Sequence, residues 1–315
     1  MALPKLTRRF VIVGGATAAI AAACGGGGGD GGDGDEAAEA TAEPTDSATP
    51  ELVLAAGFAT GDRTPAVIAA GLEQRIMFTV ADISGASLEP LRDGAPDSLE
   101  MSLHWPEAEG RTDEITAERH DAGIPTPYYP IVFTPDVTGS YRVETVVDGT
   151  PLEASFLVDP AETIGLVQVG EPVRPVETPT FDDARGVDPI CTRSPEPCPF
   201  HDRTLSESID AGEPVALLVS TPGFCQTAIC GPVLELLIEA EEAHPDLSFV
   251  HAEVYNDPQT LGQSNFAGVT EAAEVYGMTF EPSLVVANAE GIVTARLDFT
   301  FDAVDLDRAL ATATA

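Results

Sequence analysis

The sequence predicts two unlike folded units in series, an all-β sandwich followed by a domain that mixes strands with helices. Three observations carry that reading. Residues 51–160 hold short segments of alternating apolar and polar residues with turn residues between them. Residues 186–315 alternate short apolar runs with segments of helical period, and residues 161–185, rich in Pro, Glu and Thr, form a linker between the two. The length of 315 residues leaves room for both.

In the first unit, strands are expected over 74–81, 98–105, 128–134, 140–147 and 151–158. Tyr141, Val143, Thr145 and Val147 share one face of the fourth, while Arg142 and Glu144 point the other way. Asp148-Gly149 supplies a tight hairpin into the fifth. Repeated short strands of this kind indicate an antiparallel sandwich. His104 and His120 stand far apart without the paired spacing of metal ligands, so they read as strand or loop histidines. This unit offers no catalytic constellation, and a spacer or partner-binding role is its default.

The second unit has a different rhythm. A short helix is expected over 205–211, a buried strand over 214–220, and a helix over 232–243 with Val233, Leu236, Leu237 and Ala240 on one face. A strand follows over 247–254, then a helix over 270–276 stopped by Gly277. Strands 283–287 and 292–299 form a hairpin about Ala289-Glu290-Gly291, and a helix over 301–313 closes the chain.

Cys225 and Cys230 fall at the first strand-to-helix turn of this unit, between Thr221-Pro222-Gly223-Phe224 and Gly231-Pro232. A helix N-terminus stabilises the thiolate that attacks a disulfide, so two thiols here point to thiol–disulfide exchange. Their spacing is Cys-x4-Cys. Residues five apart on a regular helix differ by about 7.5 Å of rise, whereas a disulfide needs Cα atoms within about 7 Å. Cys225 must therefore precede the helix, or the first turn must unwind on oxidation.

The start of the chain says where such chemistry would happen. Lys5, Arg8 and Arg9 are followed by a weakly apolar, Ala- and Gly-rich run to residue 23, which reads as a signal peptide, shorter than the ~20 residues of a spanning helix. Thr7-Arg8-Arg9-Phe10-Val11-Ile12 resembles a twin-arginine export signal. Ala21-Ala22-Ala23-Cys24 resembles a lipobox, which implies lipidation of Cys24 and a protein anchored to a membrane and facing outward. Residues 24–50 are an acidic, Gly-rich tether with almost nothing apolar to bury, and disorder is expected there. The net charge of −37, with Lys5 the only lysine, argues against nucleic acid and anionic lipid surfaces as partners. Dispersed acidity of this kind serves solubility.

Of the five cysteines, Cys24 is set aside as the anchor, and the other four pair by proximity as Cys191 with Cys198 and Cys225 with Cys230. The run Cys191-x6-Cys198-x2-His201 could hold three metal ligands. Structural zinc sites usually bring a second close-spaced pair, so a structural disulfide of Cys191 with Cys198 is expected instead, with no metal and no cofactor. His244, at a helix end, and His251, on a strand, read as structural.

Two resemblances add to this. Thr138-Gly139-Ser140-Tyr141-Arg142-Val143 is similar to the turn and strand of immunoglobulin-like extracellular modules, without the inter-sheet disulfide of antibody domains. Over the last ~110 residues, the order of elements resembles the thioredoxin fold, with Phe224-Cys225 in place of Trp-Cys, Pro232 in the active-site helix, and the run from Tyr276 to Leu284 as the cis-proline loop. The resemblance implies an immunoglobulin-like sandwich plus a thioredoxin-like α/β fold, with Cys225 as nucleophile, Cys230 as resolving thiol and a cis Glu281-Pro282 bond near the sulfurs. It departs in the Cys-x4-Cys spacing, in Val219 where a buried carboxylate is usual, and in the charge of Glu281.

The function expected is a membrane-anchored, extracytoplasmic thiol–disulfide oxidoreductase acting on protein thiols or disulfides. The alternatives are a non-catalytic binding protein braced by disulfides and a peroxiredoxin-like thiol peroxidase, which Thr221-Pro222-Gly223 resembles with Thr221 one residue out of place. Sco-type copper chaperones are disfavoured, since no His follows His251. Replacing Cys24 with Ala should release the protein into the soluble fraction on membrane sedimentation; a variant that stays with the membranes contradicts the lipid anchor.

Overall fold

The structure, a computed structural model, describes residues 51–57, 67–85, 88–106, 109–225 and 228–315. The expected signal peptide, Cys24 and tether lie outside them. Among the described residues no helix is long and apolar enough to cross a membrane.

The first unit is an antiparallel, immunoglobulin-like β-sandwich. Its strands are β1 (Leu52–Ala56), β2 (Gln74–Asp82), β3 (Glu89–Pro90), β4 (Ser98–His104), β5 (Thr112–Glu118), β6 (Tyr129–Phe133), β7 (Gly139–Val147) and β8 (Thr150–Val158). In one sheet β2 pairs with β1, β6 and the short β3; the other has the order β5-β4-β7-β8. Alternation delivers the core. Ile76, Phe78 and Val80 of one sheet meet Leu99, Met101, Leu103, Tyr141, Val143 and Phe156 of the other. Tyr141 stacks on Phe156 with ring centroids 5.5 Å apart, and its hydroxyl donates to the Val137 carbonyl at 2.8 Å, so the buried ring leaves no polar atom unpaired. At the β7–β8 turn, Asp148 and Gly149 both take positive φ, 50° and 79°, as a two-residue hairpin of matching twist requires.

The second unit is built on β9 (Val215–Val219), β10 (Ser248–Ala252), β11 (Ser283–Ala287) and β12 (Val293–Asp298), in the order β10-β9-β11-β12. β10 runs parallel to β9, while β11 is antiparallel to β9 and to β12. The central strand β9 is buried at every position because both of its faces are covered. Ala216 and Leu218 pack in one core with Val233 and Leu237 of α2 (Cys230–Glu241) and Leu306 and Leu310 of α4 (Ala303–Ala311). Val215, Leu217 and Val219 pack in another with Leu205 of α1 (Leu205–Asp210) and Ala272 and Ala273 of α3 (Glu271–Val275). Residues of the expected linker join that second core: Val167, Val173 and Val176 are buried there, and the Gly170 and Val173 amides donate to Val293 and Gly291.

The two units share a buried polar contact. Asp302 caps α4, accepting from the Asp305 amide, and also receives the Ala122 amide and pairs with His120 Nδ1 at 3.1 Å. Asp305 accepts from the Tyr128 hydroxyl at 2.7 Å and pairs with Arg75 at 2.6 Å, with Tyr128 and Met77 packed in the same core as α4. Burial pushes the Asp305 carboxyl up, but the Arg75 guanidinium and the Tyr128 hydroxyl outweigh it and hold the group below the usual carboxylate range. His120 is thus occupied in this contact.

Removing Arg75 takes the shortest ion-pair partner from a buried carboxylate, leaving it the Tyr128 hydroxyl, His120 and the exposed Arg308, so Arg75→Ala should cost about 2 kcal/mol in urea denaturation. Because the folded pKa of Asp305 is depressed, its stabilisation is present above the ordinary value near about pH 4 and is lost as pH falls through the lower folded value. A loss under about 1 kcal/mol at neutral pH would contradict the assigned role of this pair.

Candidate functional site

The end of β9 organises the site. After Val219 the chain turns through Ser220 and Thr221 into the cysteine loop, and α2 begins at Cys230 itself, after Ile229. Cys225 therefore precedes the helix, which satisfies the distance limit: the two cysteines form a disulfide with Cα atoms 5.9 Å apart. Pro232 falls in the first turn of α2, where a missing N–H costs nothing. Ala228 closes the loop at φ 56°, its amide donating to the Cys225 carbonyl.

The two sulfurs sit in different surroundings. Cys230 is fully buried, whereas Cys225 is half-buried beside Phe224, which is 43% exposed. Access therefore singles out Cys225. The cysteine nearer the helix N-terminus is Cys230, so the expectation that Cys225 attacks because the helix stabilises its thiolate is corrected: reach for an incoming group, and not the helix end, distinguishes it.

Glu281 precedes Pro282 through a cis peptide bond, at the start of β11. Its Oε2 accepts from the Thr221 amide at 2.6 Å and lies 3.6 Å from Cys230 Sγ. Burial pushes its carboxyl above the usual range, against the opposing pull of the Thr221 amide. Glu281 is thus aimed at the buried sulfur.

Cys191 and Cys198 are not joined. Both are free and buried, which corrects the expected structural disulfide. They converge instead with two histidines: one ligand atom from each of Cys191, Cys198, His201 and His251 lies within 4.8 Å of the others. The Cys198 thiol hydrogen-bonds to the Cys191 sulfur, holding Cys191 below the ordinary thiol range and Cys198 above it. His251 comes from β10, fifty-odd residues along the chain, and its neighbour in the network, Glu253, is raised to about 8 by burial even though the Thr192 amide donates to it at 2.6 Å. His251 is the residue the sequence reading missed; the signal available was a histidine set among the apolar residues Phe249, Val250 and Ala252 of a buried strand.

The cluster and the disulfide loop touch. Thr192 Oγ1 accepts from the Gly223 amide at 2.9 Å, and a Cβ at Gly223 would come within 2.8 Å of the Thr192 carbonyl, so only glycine fits. His104 lies elsewhere, paired with Glu144 on the sandwich. An open depression of about 650 Å³, lined by Glu100, Glu114, Glu144 and Glu153, also lies on the sandwich and contains none of the sulfurs.

No family model matches the chain, and no curated protein matches it. Among solved structures, the filamin domain of Lin-41 is 16% identical, with 34% of this chain and 91% of that chain covered and a TM-score of 0.21. The thioredoxin-family resemblance is corrected by the balance of elements: the chain is mostly strand, 33% against 16% helix, laid out in several sheets. The motifs that carried the resemblance are local. An aromatic residue before a Cys, a proline in a first helical turn and a proline before a strand each answer a local backbone need, and they do not identify a family.

Because the folded pKa of Glu281 is raised, the protonated form fits the site. Its contribution is fully present below the unfolded value of about 4.3 and is lost as pH rises through the folded value. Glu281→Gln keeps an acceptor for the Thr221 amide without the charge, so its stability relative to wild type should rise as pH is taken from 4 to 8, read from urea midpoints at about five pH values. Parallel pH profiles for the two proteins would contradict the assigned burial of this charge.

Proposed function

We propose that this chain is an exported thiol–disulfide oxidoreductase, tethered to a membrane through Cys24 and exchanging disulfides with proteins at Cys225 and Cys230. The observation that carries this is the Glu281 carboxyl against the buried sulfur, 3.6 Å from Cys230 Sγ. A disulfide that only braces a fold has no use for a proton-exchanging group on one of its sulfurs.

The reaction follows from the unequal surroundings. A substrate thiolate attacks Cys225 Sγ, the accessible sulfur; the Cys225–Cys230 bond breaks, and Cys230 leaves as a thiolate that takes the proton held by Glu281. A second substrate thiolate then attacks its partner sulfur in the mixed disulfide, releasing Cys225. The substrate gains a disulfide and loses two electrons, and the Cys225–Cys230 pair gains them. In the opposite direction Glu281 takes the proton from Cys230 as that thiol attacks the mixed disulfide. Exposed Phe224 gives an apolar contact for the substrate segment beside Cys225.

Cys230→Ser should accumulate mixed disulfides with extracytoplasmic proteins, visible as reductant-sensitive adducts on gels, while Cys225→Ser should accumulate none. Absence of adducts in both variants, with a wild-type disulfide that resists mild reductant, favours the braced binding protein and contradicts exchange.

A further inference from the structure

Residues 164–204 contain neither helix nor strand, a longer interval than compact domains ordinarily leave without a staple. At its C-terminal end stand Cys191, Cys198 and His201, facing His251 of β10, and all four are buried. The outer partners of the two rings suit tautomers that turn a lone pair toward the sulfurs. His251 Nε2 lies 3.2 Å from both the carbonyl and the hydroxyl of Ser220; with its proton on Nε2, toward that carbonyl, Nδ1 presents a lone pair. His201 Nδ1 faces the Pro179 carbonyl at 3.4 Å, so its proton is there and Nε2 presents a lone pair.

Those two bare nitrogens are 3.3 Å apart. In these tautomers neither nitrogen has a proton for the other, and a cation between them would accept both lone pairs. The sulfurs complete the arrangement: Cys198 Sγ is 3.4 Å and Cys191 Sγ 3.6 Å from His251 Nδ1. A tetrahedral centre with metal–sulfur bonds of about 2.3 Å and metal–nitrogen bonds of about 2.0–2.1 Å places adjacent sulfur and nitrogen about 3.6 Å apart and two nitrogens about 3.4 Å apart. The observed separations match that geometry.

We propose that Cys191, Cys198, His201 and His251 bind a single zinc ion as a closed structural site. Two thiolates and two imidazoles in a tetrahedron suit zinc, and four protein ligands in a buried cluster leave no open position for substrate. The outer partners are those such a site needs: carbonyls of Ser220 and Pro179 hold the rings, and the Cys198 amide donates to Cys191 Sγ at 3.5 Å. The ion fastens the unstructured interval to β10 and, through Thr192 on Gly223, sets the position of the Cys225 loop. Zinc binding here is independent of whether Cys225 and Cys230 exchange disulfides.

Elemental analysis of the purified full-length chain should find one zinc per molecule, retained in a Cys225→Ser/Cys230→Ser double variant and lost in Cys198→Ser. Since Cys198→Ser can fail to fold, a second measurement uses the wild-type chain produced with cobalt in place of zinc. Thiolate-to-cobalt charge-transfer absorption in the near ultraviolet, with intense tetrahedral bands in the visible, is expected. Substoichiometric zinc together with a Cys191–Cys198 disulfide in unreduced peptide maps would overturn the site, as would a cobalt spectrum without thiolate bands.

Discussion

The second unit turns on the polar junction at the end of β9. Ser220 and Thr221 are fully buried, and their backbone and side-chain atoms are shared among three segments. The Ser220 carbonyl holds His251, the Thr221 amide holds Glu281, and Thr221 Oγ1 accepts from the Val254 amide. Buried polar groups of this kind cost several kcal/mol when left unpaired, so each segment is held to the others by the penalty of separation. That constraint puts a carboxyl on Cys230 and a pair of imidazoles behind the cysteine loop.

The reactivity assigned to Cys225 and Cys230 follows from asymmetry. One sulfur can be reached from solvent and the other cannot, and a Glu281 carboxyl oxygen lies 3.6 Å from the buried one. Glu281 is disfavoured as a carboxylate by burial, so a protonated form is within reach when Cys230 leaves as an anion. The same charge that reads in the sequence as an obstacle to a thiolate stands, in the folded chain, beside the buried sulfur of Cys230.

How much of this was legible depended on the range of the signal. Strand 283–287 was read with its observed limits because Ser283–Ala287 is a short apolar run closed by Pro282 and a turn. The edge strand Thr112–Glu118 was missed, since five of its seven positions are polar or charged, four of them on the outward face, and only Ala117 is buried. Cysteine pairing by proximity succeeded for Cys225 and Cys230, where the loop itself brings the sulfurs together. It failed for Cys191 and Cys198, which are free and lie against His251, a residue that arrives by parallel pairing of β10 with β9. The Arg75–Asp305 contact between the units, 230 residues apart, left no mark on local pattern.

The central claim is that Cys225–Cys230 is a working disulfide and not a brace, and its equilibrium reduction potential tests this most directly. Equilibrated against dithiothreitol or glutathione buffers and followed by alkylation of Cys225, the pair should titrate above about −300 mV, within the range of exchanging disulfides. A potential below about −300 mV would place it with structural disulfides and contradict the account.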